Sequence, residues 1–180
     1  MRLGRDLRHG LDLLLPSATG WLPSQAMRQG LLRAAGADLA HGIVLYHGYQ
    51  VRNPRGLSIG EDSSIGDGAI LDARGGLRIG RSVNLSTRVQ IWTAQHDWKS
   101  EDFAYEEASV EVGDRCWLGP SVIVLPGSRI GEGAVVGAGA VVKGELAPWG
   151  LYGGVPARRI ADRPRLNTYR LLDGGTPWFW

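Results

Sequence analysis

The chain reads as an all-β solenoid of about five triangular coils, and three observations carry that reading. The first is a six-residue lattice of aliphatic side chains: Leu39, Leu45, Val51, Ile59, Ile65, Leu71, Ile79, Leu85, Ile91, Val112, Leu118, Val124, Ile130, Val136 and Val142. A helix repeats near 3.6 residues and a half-buried strand near 2, so neither accounts for a beat of six. The second is a companion column of small or slim residues, two positions before a large one: Ser63, Ala69, Val83, Val89, Cys116, Val122, Ser128, Ala134 and Ala140. The third is grouping by threes, because the interval widens to eight after Val51 and again after Leu71. A unit of six holds one short strand with two inward side chains and then a corner, and three units close a triangle. Glycine often follows the large residue, as in Ile59-Gly60, Ile65-Gly66 and Ile130-Gly131, where tolerance of unusual backbone angles suits a corner.

Three segments follow in order. Residues 1–38 lack the beat and carry helical spacing, in Leu7, Leu11, Leu14 and Leu15 and again in Met27, Leu31 and Leu32. Ser24 is placed to cap the second helix and Gly36 to end it. This N-terminal helical cap is expected to cover the open strand edge of the first coil. Arg2, Arg5 and Arg8 beside leucines leave contact with a membrane surface as an alternative for the same segment. Residues 39–160 form the solenoid, interrupted by an inserted loop, 92–109, of the kind that carries function on a regular scaffold. After Val142 the lattice is expected to end, leaving 161–180 as a tail that closes on the apolar Trp178-Phe179-Trp180.

The 180 residues suit one domain, and the 27 glycines, many at a fixed offset from the lattice, are corners rather than linker. No apolar run approaches the length of a membrane span, and no convincing signal peptide is present. A single cysteine forbids an internal disulfide framework and fits the cytoplasm; its place in the small column makes Cys116 core filler. The net charge of +2 gives no reason to expect nucleic acid. Arg158, Arg159, Arg163, Arg165 and Arg170, against Asp162 alone, would draw an anionic ligand to the C-terminal end or form a solvated tail. His96 stands at the start of the only large loop, and its imidazole can take a proton from a hydroxyl and return it.

From about Leu39 to Ile160 the sequence resembles the hexapeptide-repeat acyltransferases, whose repeats fold into a left-handed parallel β-helix. In the sugar-acetylating members a histidine follows the last strand of a coil and precedes an extended loop, with an aromatic-Ile/Leu-Gly coil further on. Here those positions are Ile91-Trp92-Thr93-Ala94-Gln95-His96 and Cys116-Trp117-Leu118-Gly119. The resemblance implies that His96 is the general base for direct attack of an acceptor hydroxyl on the thioester of acetyl-CoA, without a covalent acyl-enzyme. Asp72 would orient His96 or bind acceptor, joined by Arg74, Trp92 and Trp98. Trp117, Gly119, Ala138 and Lys143 would line the donor groove, with Arg158 and Arg159 on the coenzyme A phosphates. It further implies a homotrimer with active sites between subunits and a saccharide or saccharide-lipid acceptor. Asp72-Ala73-Arg74-Gly75-Gly76 and Trp92-Thr93 look more like the acetyltransferases of capsule, exopolysaccharide or lipopolysaccharide synthesis. Galactoside- and maltose-specific relatives carry polar groups where this chain has Gly66 and Arg74. Pro120 also departs from a small polar residue found in some relatives.

Other readings predict different chemistry. Amino-sugar N-acetylation would use the same base. The γ-type carbonic anhydrases share the fold, and His41 and His47 lie six apart, but no third zinc ligand is evident, so no metal is expected. A non-catalytic trimeric scaffold would use the aromatic loop as a carbohydrate-binding edge.

Overall fold

The computed structural model describes residues 19–165 and 169–172; the Leu7–Leu15 segment, Arg2, Arg5, Arg8 and the Trp178-Phe179-Trp180 end lie outside the described residues. The six-residue units form three parallel sheets around one core. The first stacks Asp38–Leu39, Leu57–Ile59, Leu77–Ile79, Val110–Val112, Arg129–Ile130 and Glu145–Leu146. The second stacks Val44–Leu45, Ser64–Ile65, Asn84–Leu85, Trp117–Leu118, Val135–Val136 and Gly150–Gly153. The third stacks Gln50–Arg52, Ile70–Asp72, Gln90–Ile91, Ile123–Val124 and Val141–Val142.

Register shows why the lattice works: each large residue lies directly over its counterpart, as in Leu45, Ile65, Leu85, Leu118 and Val136. The column is buried, and each fully buried Val, Leu or Ile contributes about 1.5–3 kcal/mol relative to exposure. The small column is equally buried, with Ser63 donating to Gly80 O of the next coil and Ser128 to Leu125 O of its own corner. Cys116 belongs to it: burial pushes its thiol up to about 12, and its Sγ donates to Gly131 O at 3.1 Å. It is core filler, as expected.

The lattice does not stop at Val142. Leu146 pairs over Ile130 and Tyr152 over Val136, so two further strands follow the five complete coils and begin a sixth. The shorter step from Val142 to Leu146 hides this continuation in the sequence.

The glycines have two jobs instead of one. The left-handed corner falls three residues after the large residue, at Gly68 (φ 65°) and equally at Asp62 (φ 59°) or Arg88 (φ 59°). Glycine immediately after the large residue serves close stacking: a Cβ on Gly66 would lie 2.6 Å from Ser86 C, and one on Gly131 2.6 Å from Pro148 N.

Both ends of the stack are covered. Helix α1, Gln25–Ala34, lies on the first coil and ends in a Schellman closure, with Ala37 N donating to Leu32 O and Gly36 N to Arg33 O. Ser24 holds the N-cap position with extended backbone but makes no side-chain cap bond. The helix faces differently from its apolar spacing: Leu32 is buried, while Met27 and Leu31 point out. The inward face is polar because a strand edge offers unpaired backbone groups. Gln25 donates to Leu45 O and accepts from Leu45 N, Gln29 donates to Ile43 O, and Arg33 donates to Leu39 O and Ala40 O.

At the other end Arg158–Asp162 pairs antiparallel with Gly150–Gly153, and the chain then turns back along the corners. Arg163 donates to Arg115 O, Gly133 O and the Tyr169 hydroxyl, and its backbone N–H to Trp149 O. Farther along, the Asp62 carboxylate accepts both Leu171 N and Leu172 N at 2.9 Å. Arg163 is therefore part of a strap across the coils rather than of a solvated basic tail.

Candidate active site

The inserted loop is a β-hairpin, Ala94–His96 antiparallel to Tyr105–Glu107, whose base is fastened by Thr93. Buried Thr93 gives its carbonyl to Ala108 N, its Oγ1 to Gly75 N at 2.9 Å, and its own N–H to Asp72 Oδ2 at 3.4 Å. Gly75 must be glycine here, because a Cβ would sit 2.7 Å from Thr93 O. The sequence marks Thr93 only as part of the Trp92-Thr93 stretch and gives it no role; its place between Trp92 and His96 on the way out of the solenoid was the available signal.

His96 lies in the hairpin strand opposite Tyr105, with its ring exposed. Its Nδ1 is 2.8 Å from Phe103 O, and since a carbonyl only accepts, Nδ1 carries the proton. In the neutral ring this tautomer puts the lone pair on Nε2. Phe103 also stacks on the imidazole at 4.4 Å and 6°, while Tyr105 meets its edge at 5.7 Å. Phe103 adopts a left-handed backbone (φ 52°) at the loop tip, where Ala104 N donates to Ser100 Oγ. It too escaped the sequence reading, since its contact with His96 exists only once the hairpin closes.

Asp72 is brought to the hairpin base but not to the imidazole. It is fully buried and held by Arg74 through Nε at 2.9 Å, Nη2 at 2.9 Å and the backbone N–H at 3.2 Å. Burial alone would raise its pKa, but the bonds from Arg74 and Thr93 together outweigh that and hold the carboxyl below the usual range. Arg74 in turn faces the Tyr105 ring at 5.7 Å, and Tyr105 Oη donates to Glu107. Of the two aromatic candidates, Trp92 is half-buried under Arg52 with Nε1 donating to Gln90, whereas Trp98 is 77% exposed at the tip.

The candidate donor residues occupy other surfaces. Trp117 is half exposed on the second sheet, its Nε1 bonded to Ser86 Oγ at 3.1 Å. Gly119 lies under the exposed Ala138, where a Cβ would come 2.9 Å from Ala138 N. Lys143 is exposed just after the third sheet's last strand. Arg158 and Arg159 project from the closing strand, Arg159 pairing with Asp162. Among the described residues no hydrogen bond or ring contact joins this set to the His96 hairpin. A groove of about 760 Å³ on the first sheet, lined by Arg78, Glu111, Arg129 and Glu145, contains none of the candidates.

A parallel solenoid of six-residue units, broken by a hairpin that presents His96, is the architecture of the hexapeptide-repeat proteins. The pattern described as bacterial transferase hexapeptide (six repeats) matches residues 109–144. The protein named as a colanic acid biosynthesis acetyltransferase, WcaF, of Escherichia coli K12 is 32% identical over 136 residues, covering 76% of this chain and 75% of its own. The lipopolysaccharide biosynthesis O-acetyl transferase WbbJ of the same organism is 31% identical over 144 residues, 61% of this chain and 74% of its own. The crystal structure of a maltose O-acetyltransferase from Clostridium difficile superposes with a TM-score of 0.74 at 25% identity, covering 84% and 83%. A hexapeptide-repeat acetyltransferase from Vibrio cholerae, solved with acetyl coenzyme A, has the same fold, with a TM-score of 0.81 at 22% identity over 88% of each chain. The chain belongs to the hexapeptide-repeat acetyltransferases.

Proposed function

We propose that the protein transfers an acetyl group from acetyl-CoA to a hydroxyl of a saccharide of capsule, exopolysaccharide or lipopolysaccharide synthesis. The observation that carries the reading is the His96–Phe103 bond, which in the neutral imidazole places the lone pair on Nε2 of an exposed ring. Nε2 takes the acceptor hydroxyl proton as the oxygen attacks the thioester carbonyl. The tetrahedral intermediate expels the thiolate, which recovers the proton from His96, giving an ester and free coenzyme A. Cys116 has no part, because a buried thiol with so high a pKa supplies no thiolate.

The names of WcaF and WbbJ support a polysaccharide precursor as acceptor. Asp72, Arg74, Trp92 and Trp98 then serve the acceptor, with Asp72 acting through the hairpin base and Arg74 rather than directly on the imidazole. Trp117, Gly119, Ala138 and Lys143 serve the donor, with Arg158 and Arg159 on its phosphates. The resemblance to the hexapeptide-repeat acyltransferases implies a homotrimer in which one subunit's hairpin meets the next subunit's donor groove, and the separation of the two sets within one chain is compatible with it. Acetyl-CoA as donor points to the cytoplasm.

The test is thiol release from acetyl-CoA by the purified protein over a panel of neutral, acidic and amino saccharides. Acceptor-dependent release with a base-labile ester product supports the reading. An amide product would assign N-acetylation, and saccharide binding without turnover would make the protein a scaffold.

A further inference from the structure

Helix α1 is amphipathic in the wrong sense for a surface helix. Gln25, Gln29 and Arg33 turn inward to the backbone edge of the first coil, and the apolar Met27 and Leu31 are left 51% and 49% exposed on the outer side. Trp21, in the 3-10 turn Thr19–Trp21 packed beside the helix, is 75% exposed. None of these side chains takes part in the site described above. The sequence at this end is also basic: residues 1–37 carry five arginines against Asp6 and Asp12, of which Arg28 is buried, Arg33 is bonded to the first coil, and Arg2, Arg5 and Arg8 lie outside the described residues.

We propose that this outer face of α1, with Trp21 at its side, docks on the surface of an anionic lipid bilayer. The chemistry fits from both components. An aliphatic pair one helical turn apart enters the acyl boundary, and an indole prefers the headgroup level. Arginine-rich sequence at the same end is drawn by the negative surface potential of such a bilayer. The polar face that ordinarily meets water is here consumed by the strand edge, so the helix can lie flat on lipid without exposing unpaired backbone. A patch of three side chains gives reversible adsorption rather than anchoring. Among the described residues no helix is long and apolar enough to cross a membrane.

The test uses the full chain in co-sedimentation with phosphatidylcholine vesicles with and without phosphatidylglycerol. Binding is expected only with the anionic lipid, and Met27→Glu/Leu31→Glu should lower the partition coefficient about tenfold while leaving acetyl transfer to a soluble acceptor unchanged. Glutamate is a good helix former, so the cap should persist. A second readout covers misfolding: Leu31→Cys labelled with a polarity-sensitive fluorophore should shift to shorter wavelength on adding anionic vesicles. The buried Cys116 stays unlabelled. No sedimentation of the parent chain, or an unshifted label, overturns the proposal. A fall in the assembly's solution mass in the double variant, without vesicle binding, would assign the face to a second copy of the chain and overturn it equally.

Discussion

From Leu57 to Ile91 each strand lies over its counterpart twenty residues earlier, whereas from Thr93 to Ala108 the chain leaves the stack and pairs with itself as an antiparallel hairpin. The coils are stabilised by identical neighbours, so each position's environment is set by its column. The hairpin has no column, and its order comes from individual partners: Thr93 at the base, Phe103 on the imidazole, Ser100 at the tip. Periodic stacking yields a stiff scaffold but can place nothing unique. The hairpin that interrupts the coils is where the His96 ring and the Phe103 carbonyl that holds it are set out toward solvent.

The sharpest way to break this contrast is at His96. His96→Ala should leave thermal unfolding and assembly unchanged while lowering acetyl transfer by roughly two to four orders of magnitude, about 3–5 kcal/mol of barrier. Near-parent turnover would remove His96 as the base.

The next effect is at the buried pair joining scaffold to hairpin. Asp72→Asn should cost about 2 kcal/mol of stability, less than a fully buried pair because Arg74 is about one-third exposed. The folded-state carboxyl titrates below its ordinary value, so its contribution is complete above the usual carboxylate range and fades as pH falls through the depressed folded value. The stability gap between parent and variant should therefore close in acid; a gap constant with pH would mean that the charge is not what matters.

Within the repeats, the two glycine roles predict unequal costs. Gly66→Ala forces a Cβ onto the Ser86 backbone and should destabilise by about 1–3 kcal/mol. Gly139→Ala meets nothing within 4 Å and is opposed only by its φ of 70°, so it should cost about 1 kcal/mol. Equal melting temperatures in the two variants would erase the distinction.

The smallest effect is expected at the strap. Arg163→Ala gives up bonds to Arg115 O and Gly133 O that water can replace in part, and should lower stability by about 1 kcal/mol. Hydrogen exchange should quicken at the corners of Arg115, Gly133 and Trp149 while the hairpin amides stay as they were.

Much of the scaffold was legible before any coordinates, because a solenoid buries the same offset in every coil and so writes its core into the sequence as a period. Leu45, Ile65 and Leu85 are unmistakable for that reason, and so is the break after Ile91 that marks where His96 leaves the scaffold. The two strands beyond the fifth coil were hidden by the four-residue step to Leu146, since a period is invisible across a changed interval. Tertiary structure alone decided which partner each irregular side chain takes. Asp72 binds Arg74 and Thr93 instead of His96, Phe103 orients the imidazole, and Arg163 crosses to corners laid down up to 48 residues earlier. It also turned α1 over, because the helix answers to the hydrogen-bonding demand of a bare strand edge and not to its own apolar spacing. Repetition is a local property that sequence carries; a contact made once, between segments far apart in the chain, exists only after the chain has folded.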